Sequence, residues 1–289
     1  MEGPVTTLYG VVGWPIAHSL SPAMQRAAFE ACGIDAVYEA FAIEPARLER
    51  SLRDLRARGV AGLNVTLPHK EAIAAFVDEV ERDAQAIGAV NTLARERDRL
   101  IGLNTDAPGL VRALAEAGFD PHDTRCVVLG TGGAARAAVV GLAAAGARAI
   151  TIAGRRVARA TDLVASLAPY VASTRLDTAA LDALRSAFDE ADLVVQATSA
   201  TLGGSADSDR FALALPLPAL PPRAFVTDLV YRPLRTAVLE AAELRGLRTI
   251  DGLGMLLHQG ALSFERWTSA PAPLDAMRDA LRRAVAHPS

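Results

Sequence analysis

The chain has 289 residues, enough for about two domains at roughly 150 residues each. Hydrophobic residues make up 51% and charged residues 22%, which supplies real cores and excludes a disordered chain. Lys and Arg total 30 against 33 Asp and Glu, and the net charge of -3 excludes a dominant basic nucleic-acid surface and a polybasic membrane patch.

Taken in chain order, the periodicities predict strands alternating with helices. Residues 8–12 read as a strand and 22–32 as a helix. Residues 37–43 read as a strand, 45–58 as a helix with Leu48, Leu52 and Leu55 on one face, and 62–65 as a short strand. Two helical segments, 70–77 and 79–87, follow, and 90–95 with 100–103 form a β-pair around a polar turn. A helix over 106–117 ends at Gly118-Phe119-Asp120-Pro121. A second α/β pattern then begins, with strands 126–129, 149–153 and 193–197 and helices 134–145, 158–167 and 181–188. Residues 198–222, rich in Gly, Ser and Pro, read as one long loop. Strand 225–230, helix 234–245, a short strand 249–250 and helices 255–267 and 274–285 complete the chain. This alternation implies an α/β fold with largely parallel sheets.

The longest clean apolar stretch, Ala137 to Ala147, is too short to cross a bilayer. Met1-Glu2-Gly3-Pro4 shows neither the basic nor the apolar region of a signal peptide. Cys32 and Cys126 lack metal-ligand spacing, so two free thiols in a reducing cytoplasm and no metal are expected. One compositional fact stands out: 29 of the basic residues are Arg and one is Lys, Lys70. A lysine amine titrates when perturbed and a guanidinium does not, so Lys70 is either kept for its amine or a surface lysine that survived by chance.

Strand residues Cys126 to Leu129 run into Gly130-Thr131-Gly132-Gly133-Ala134-Ala135, a G-x-G-x-x-A pattern between a strand and a helix. Gly130 permits the tight turn, Gly132 admits a pyrophosphate against the backbone, and Ala135 allows close helix–strand packing. The helix N-terminus then offers free N–H groups and the positive end of its dipole to phosphates. After the next strand the chain reads Gly154-Arg155-Arg156-Val157-Ala158-Arg159, with no acid to hold a ribose hydroxyl. Three arginines suit a 2′-phosphate, so NADP is expected over NAD. The plainer readings are a glycine-rich turn and a solvated basic helix start.

Polar residues gather at element edges in the first half. In His18-Ser19-Leu20-Ser21-Pro22, Ser21 suits a helix N-cap and Pro22 the first helical position, which leaves Ser19 unexplained. Two hydroxyls beside a helix N-terminus would hold a carboxylate. Asn64-Val65-Thr66-Leu67-Pro68-His69-Lys70 follows a strand, where α/β ligand sites lie. The only other Asn residues stand in Asn91-Thr92 and Asn104-Thr105-Asp106. Each could be a turn residue; together they supply the groups that a small polyhydroxylated ligand needs.

These motifs resemble the shikimate dehydrogenase family. The resemblance runs through Gly13 to Pro22, Asn64 to Lys70, Gly88-Ala89-Val90-Asn91-Thr92, Asn104-Thr105-Asp106, the Gly130 loop, Asp228-Leu229-Val230-Tyr231, and Asp251 to Gln259. It implies two domains: a substrate domain of residues 1–105 completed by 253–289, and a Rossmann-like NADP domain of residues 106–252. The implied reaction is reversible reduction of 3-dehydroshikimate to shikimate by NADPH, within aromatic amino acid biosynthesis, in a monomer or homodimer. By motif, Ser19 and Ser21 hold the substrate carboxylate. Thr66, Asn91, Asp106, Tyr231 and Gln259 bind or flank ring hydroxyls, and Lys70 with Asp106 carries the catalysis. The cofactor positions fall on Gly130, Thr131, Gly132, Gly133, Ala134, Arg155, Arg156, Arg159, Leu229, Gly252 and Met255. The sequence departs from the family pattern at Gly154-Arg155-Arg156 and at Gln196 to Thr201, where an Asn and a Gly are usual. It departs also at Ala107 and at Ala135. The alternatives are a quinate/shikimate dehydrogenase using NAD and a dinucleotide-sensing relative without turnover.

Overall fold

The computed structural model of the chain describes residues 6–203 and 206–286. Met1 to Pro4 and two positions of the 198–222 stretch therefore lie outside the described residues. The chain divides into two compact units, residues 1–105 with 257–289 and residues 106–256. Residues 253–256, expected with the first unit, fall in the second.

The first unit holds β1 (Thr7–Gly13), α1 (Ser21–Ala31), β2 (Ala36–Ala42), α2 (Leu48–Ala57), β3 (Gly62–Val65), β4 (Glu79–Val80), α3 (Arg82–Ile87), β5 (Thr92–Glu96) and β6 (Arg99–Leu103). Its sheet runs β2-β1-β3-β5-β6-β4. β1 is parallel to β2 and β3, whereas β5 is antiparallel to β3 and β6. Leu48, Leu52 and Leu55 of α2 are buried and pack with Leu63, Leu93 and Leu100 of the sheet. That packing, rather than helix propensity, holds so polar a helix in place.

The second unit begins with α4 (Asp106–Glu116), β7 (Arg125–Leu129), α5 (Gly133–Ala144), β8 (Ala149–Gly154), α6 (Val157–Leu167) and β9 (Arg175–Ala180). It continues through α7 (Arg185–Asp189), β10 (Leu193–Gln196), α8 (Ala206–Ala214), β11 (Phe225–Asp228), α9 (Ala237–Glu243) and β12 (Arg248–Ile250). α10 (Gly252–Thr268) and α11 (Leu274–Ala286) end the chain. The sheet order is β12-β11-β10-β7-β8-β9, and every pairing is parallel. Successive strand residues alternate between faces, so Val128 and Val195 enter one core with Leu114 and Leu142. Val127 and Val194 enter the other with Phe188 and Leu239. Both faces are covered, as an all-parallel sheet requires.

Four elements differ from the sequence reading. Residues 79–87 are not one helix: Glu79–Val80 pairs with β6 before α3 starts. Residues 70–77 hold only a 3₁₀ turn, Ala72–Phe76. β9 has no counterpart in the prediction, because this edge strand is half-exposed and has only Leu176 as a large apolar residue. The expected 198–222 loop contains α8, whose inward side presents Ser208, Phe211 and Ala212 and so carries a single large apolar residue, too few to show a period.

A buried carboxylate joins several elements of the second unit. Asp228, at the end of β11, accepts from Thr236 Oγ1 at 2.7 Å, Thr201 Oγ1 at 2.9 Å and Val230 N at 3.0 Å. Thr236 also accepts from Leu239 N at 3.4 Å, capping α9. Burial pushes the Asp228 carboxyl above the usual value for aspartate, against the pull of these donors.

Two expectations follow. A Cβ at Gly62 would lie 2.3 Å from Trp267 Nε1, which donates to Leu93 O at 2.9 Å. Gly62→Ala should therefore displace the indole and cost about 1–3 kcal/mol, read as a lower urea midpoint; an unchanged midpoint would show that Trp267 shifts freely. Because the folded-state pKa of Asp228 is raised, its favourable contribution is complete below the unfolded value and fades as pH climbs through the folded one. The stability gap between the native protein and Asp228→Asn should narrow from pH 4 to pH 7, as followed by urea unfolding across that range, and a constant gap would contradict it.

Candidate active site

The polar residues of the first unit collect past the carboxyl ends of its parallel strands. Thr66 directly follows β3, and its N–H donates to Val12 O at 2.9 Å. A Cβ at Gly13 would sit 2.5 Å from Thr66 Cγ2, so the glycine makes room for that side chain. Lys70 lies in the turn after Thr66 and is half-buried. Its carbonyl accepts from Val90 N at 2.7 Å, which places Lys70 beside the Val90-Asn91 segment. His69, its neighbour, is buried with Nε2 2.7 Å from Ile43 O and serves as an anchor.

Asn91 and Gln259 come together from distant parts of the chain. Asn91 Nδ2 donates to Gln259 Oε1 at 3.3 Å and to Thr105 Oγ1 at 2.9 Å. Asn91 Oδ1 accepts from Thr105 N at 2.7 Å and from Thr92 Oγ1 at 3.0 Å. Both amides are buried, so these bonds replace the water they have lost.

The serine pair corrects the expected capping. Ser21 is the first residue of α1, and the cap position is Leu20, which makes no side-chain cap bond. Ser19 Oγ accepts from Ser21 N at 3.3 Å. Ser21 is buried, as is Tyr38, whose burial pushes the phenol well above its ordinary value. Tyr38 OH donates in turn to Asn64 Oδ1 at 2.7 Å.

In the second unit the glycine turn has the expected shape. Gly130 has φ 127, a region closed to side chains, and an added Cβ there would lie 3.0 Å from Ala197 O. Gly132 precedes α5, and nothing stands within 4 Å of where its Cβ would be. With no side-chain cap on α5, the first-turn N–H groups face that open space together with Thr131, Gly133 and Ala134. Arg155, Arg156 and Arg159 are exposed, and among the described residues none is in an ion pair, in contrast to many surface arginines of this chain. These features fit a phosphorylated dinucleotide.

Leu229, Gly252 and Met255 also converge. A Cβ at Gly252 would come within 2.6 Å of Leu229 O, and Met255 joins the core against which Leu229 packs. Tyr231 is half-buried, with its phenol raised by burial. Asp106 opens α4 and is 4% exposed. At the departure from the family pattern, Gln196 Nε2 donates to Thr201 Oγ1 at 3.0 Å and Gln196 Oε1 accepts from Thr198 N at 2.7 Å. The longer side chain thus reaches a threonine that is itself bonded to Asp228. Burial pushes the Cys126 thiol up to about 12, so it stays a thiol at neutral pH. Among the described residues no group of three or more His, Cys, Asp or Glu could hold a metal. No helix there is long and apolar enough to cross a membrane.

Sequence reasoning passed over Ser263. Its hydroxyl bonds Asn64, Thr92 and Thr105 in the interior of the first unit. The available signal was its place one helical turn beyond Gln259, on the same face.

Three family models match the chain: shikimate dehydrogenase substrate binding domain over residues 11–93, shikimate / quinate 5-dehydrogenase over 113–204, and shikimate 5′-dehydrogenase C-terminal domain over 252–282. The shikimate dehydrogenase (NADP(+)) of Methanopyrus kandleri is 44% identical over 278 residues, 96% of this chain and 95% of its own. That of Moorella thermoacetica is 45% identical over 284 residues, covering 97% and 94%. Among solved structures, the shikimate 5-dehydrogenase of Thermus thermophilus in complex with NADP(H) and shikimate superposes with a TM-score of 0.84 at 38% identity, covering 96% and 99%. Likeness of this extent over nearly the whole chain means that the chain belongs to the shikimate dehydrogenase family.

Proposed function

We propose that the chain is an NADP-dependent oxidoreductase that interconverts 3-dehydroshikimate and shikimate. The observation that carries this reading is identity above two-fifths, over almost the whole length, to relatives that are shikimate dehydrogenases (NADP(+)). The open glycine turn at α5, and arginines that are in no ion pair among the described residues, support the choice of NADP over NAD. The same arginines, with no acid between Gly154 and Arg159, weigh against an NAD-linked quinate enzyme. Retention of Lys70 weighs against a sensor without turnover, which needs no proton donor. A cytoplasmic setting belongs to the proposal, supported by two free cysteines. So does a monomer or homodimer without nucleic-acid or membrane partners, supported by the near-balanced charge.

In this reading Gly130 to Ala134 receive the pyrophosphate, Arg155, Arg156 and Arg159 the 2′-phosphate, and Leu229, Gly252 and Met255 the nicotinamide end. The bound coenzyme supplies the hydride. Ser19 keeps its own O–H while accepting from Ser21 N, so it can donate to a carboxylate. Ser21 shares that carboxylate. Thr66, Asn91, Asp106, Tyr231 and Gln259 hold the ring hydroxyls. Lys70 gives a proton to the carbonyl oxygen as charge develops there, and takes it back in the oxidative direction. Asp106 is the second catalytic residue of this reading.

Steady-state oxidation of shikimate and of quinate, each with NADP and with NAD, tests the proposal. Shikimate with NADP should be the most efficient pair, and equal efficiency with NAD would refute the arginine reading. Replacing Arg155 and Arg156 by Gln should raise KM for NADP roughly tenfold or more, from loss of charge-assisted bonds of about 1.5–3 kcal/mol, and leave NAD kinetics nearly unchanged. Lys70→Ala and Lys70→Arg should each lower kcat on the order of 10²-fold or more, with a much smaller change in shikimate affinity. Near-normal kcat in Lys70→Arg would leave charge, and not proton transfer, as the role of Lys70.

A further inference from the structure

We propose that Asp228 is a positioning residue for the coenzyme: through Thr201 and Val230 it fixes the two backbone segments on which the Gly130 turn and the nicotinamide end rest. The proposal rests on the assignment of the Gly130 turn and of Leu229 to NADP. Asp228 closes β11 with 0% exposure and has no part in the proton or hydride transfer. Its neighbour across the sheet is Gln196, the last residue of β10. The segments leaving these two strands run past the carboxyl ends of a parallel sheet, where ligands of such sheets bind.

The proton positions around the carboxylate follow from a backbone donor that has no choice. Thr198 N donates to Gln196 Oε1 at 2.7 Å, so the other end of that amide is the NH₂. This NH₂ donates to Thr198 O and to Thr201 Oγ1, each at 3.0 Å. Thr201, having received a proton from Gln196, gives its own to Asp228 Oδ2 at 2.9 Å. Residues 198–201 are thus tied at both ends, by Gln196 at Thr198 and by Asp228 at Thr201. The other carboxylate oxygen accepts from Val230 N at 3.0 Å.

Backbone contacts carry these ties to the coenzyme side. A Cβ at Gly130 would lie 3.0 Å from Ala197 O and 3.2 Å from Thr198 Cγ2, so the turn before α5 is seated on the head of the tied segment. Leu229 N donates to Gln196 O at 2.9 Å, and the next N–H along, that of Val230, is the one Asp228 holds. With both N–H groups held, the Leu229 carbonyl is fixed where Gly252 packs against it. Gly203 N donates to Arg232 O at 3.3 Å, which joins the two segments further out. Thr236, which bonds the same carboxylate oxygen as Thr201 at 2.7 Å, ties the start of α9 instead. Two hydroxyls on one oxygen therefore serve different parts of the unit, and cutting each in turn separates positioning from stability.

Wild type, Thr201→Val, Thr201→Ser and Thr236→Val are compared by steady-state kinetics with shikimate and NADP, by NADPH binding and by thermal melts. Thr201→Val should raise KM for NADP and Kd for NADPH roughly fivefold or more, as expected for one buried hydrogen-bonding group, and hold KM for shikimate within about twofold. Thr201→Ser keeps the hydroxyl and should stay close to wild type in all three. Thr236→Val should lower the melting temperature while Kd for NADPH stays within about twofold. Unchanged NADPH binding in Thr201→Val would overturn the proposal whatever its melting temperature. Equal losses of NADPH binding in Thr201→Val and Thr236→Val, the mark of a generally weakened unit, would overturn it too. If Thr201→Val does not accumulate folded, Asp228→Asn should show the same split between NADP and shikimate, and its absence overturns the proposal equally. A wild type that binds NADPH without oxidising shikimate would strike at the functional reading alone, because the comparison of Kd values still decides this inference; one that binds no NADPH would remove both.

Discussion

The first unit depends on the satisfaction of one buried polar cluster. The donor at Thr105 N fixes the Asn91 amide at 2.7 Å, and five side chains from β3, β5, α10 and the end of β6 arrange themselves around it. In so dry a place an unpaired amide or hydroxyl would cost about 1–3 kcal/mol. The cluster is therefore stable only when each partner is present and turned the right way. This requirement gives the strand ends and the helix a single register.

The second unit uses a different means. Here the decisive feature is backbone approach: Gly130 at φ 127 beside Ala197 O, Gly252 beside Leu229 O, and Gly132 beside open space. At Gly130 and Gly252 the missing side chains let backbone segments meet, and at Gly132 they leave room beside the helix N-terminus, the kind of place where an anion is favoured. Asp228 binds the segments behind this surface, through Thr201, Thr236 and Val230, into one piece. The substitution of Gln at 196 is absorbed within the same set of bonds.

The long periodic elements were legible because burial follows spacing. The three leucines of α2 and the apolar runs of β7 and β10 are buried as their patterns require. The G-x-G-x-x-A turn was legible because few other residues tolerate its geometry. β9 and α8 were not legible, since an edge strand needs few apolar residues and a short helix can seat on one phenylalanine between serine and alanine. The helix start at Ser21 was misread for a related reason. A serine before a proline suits a cap in any chain, but here the helix takes in Ser21 itself and the cap position falls on Leu20.

By itself the sequence determined the α/β class, the order of elements, the dinucleotide turn, the arginines that follow it and the single lysine. All of these are properties of local spacing or of residue type. The tertiary structure decided that Asn91, Thr105, Ser263 and Gln259 share one buried cluster, that Ser19 rather than Ser21 meets the helix N-terminus, and that Asp228 is a buried hub. Ser263 and Asn64 lie 199 residues apart and bond at 2.9 Å. Such partners are chosen by the closing of the fold, because a hydrogen bond acts over about 3 Å and leaves no periodic trace in the chain.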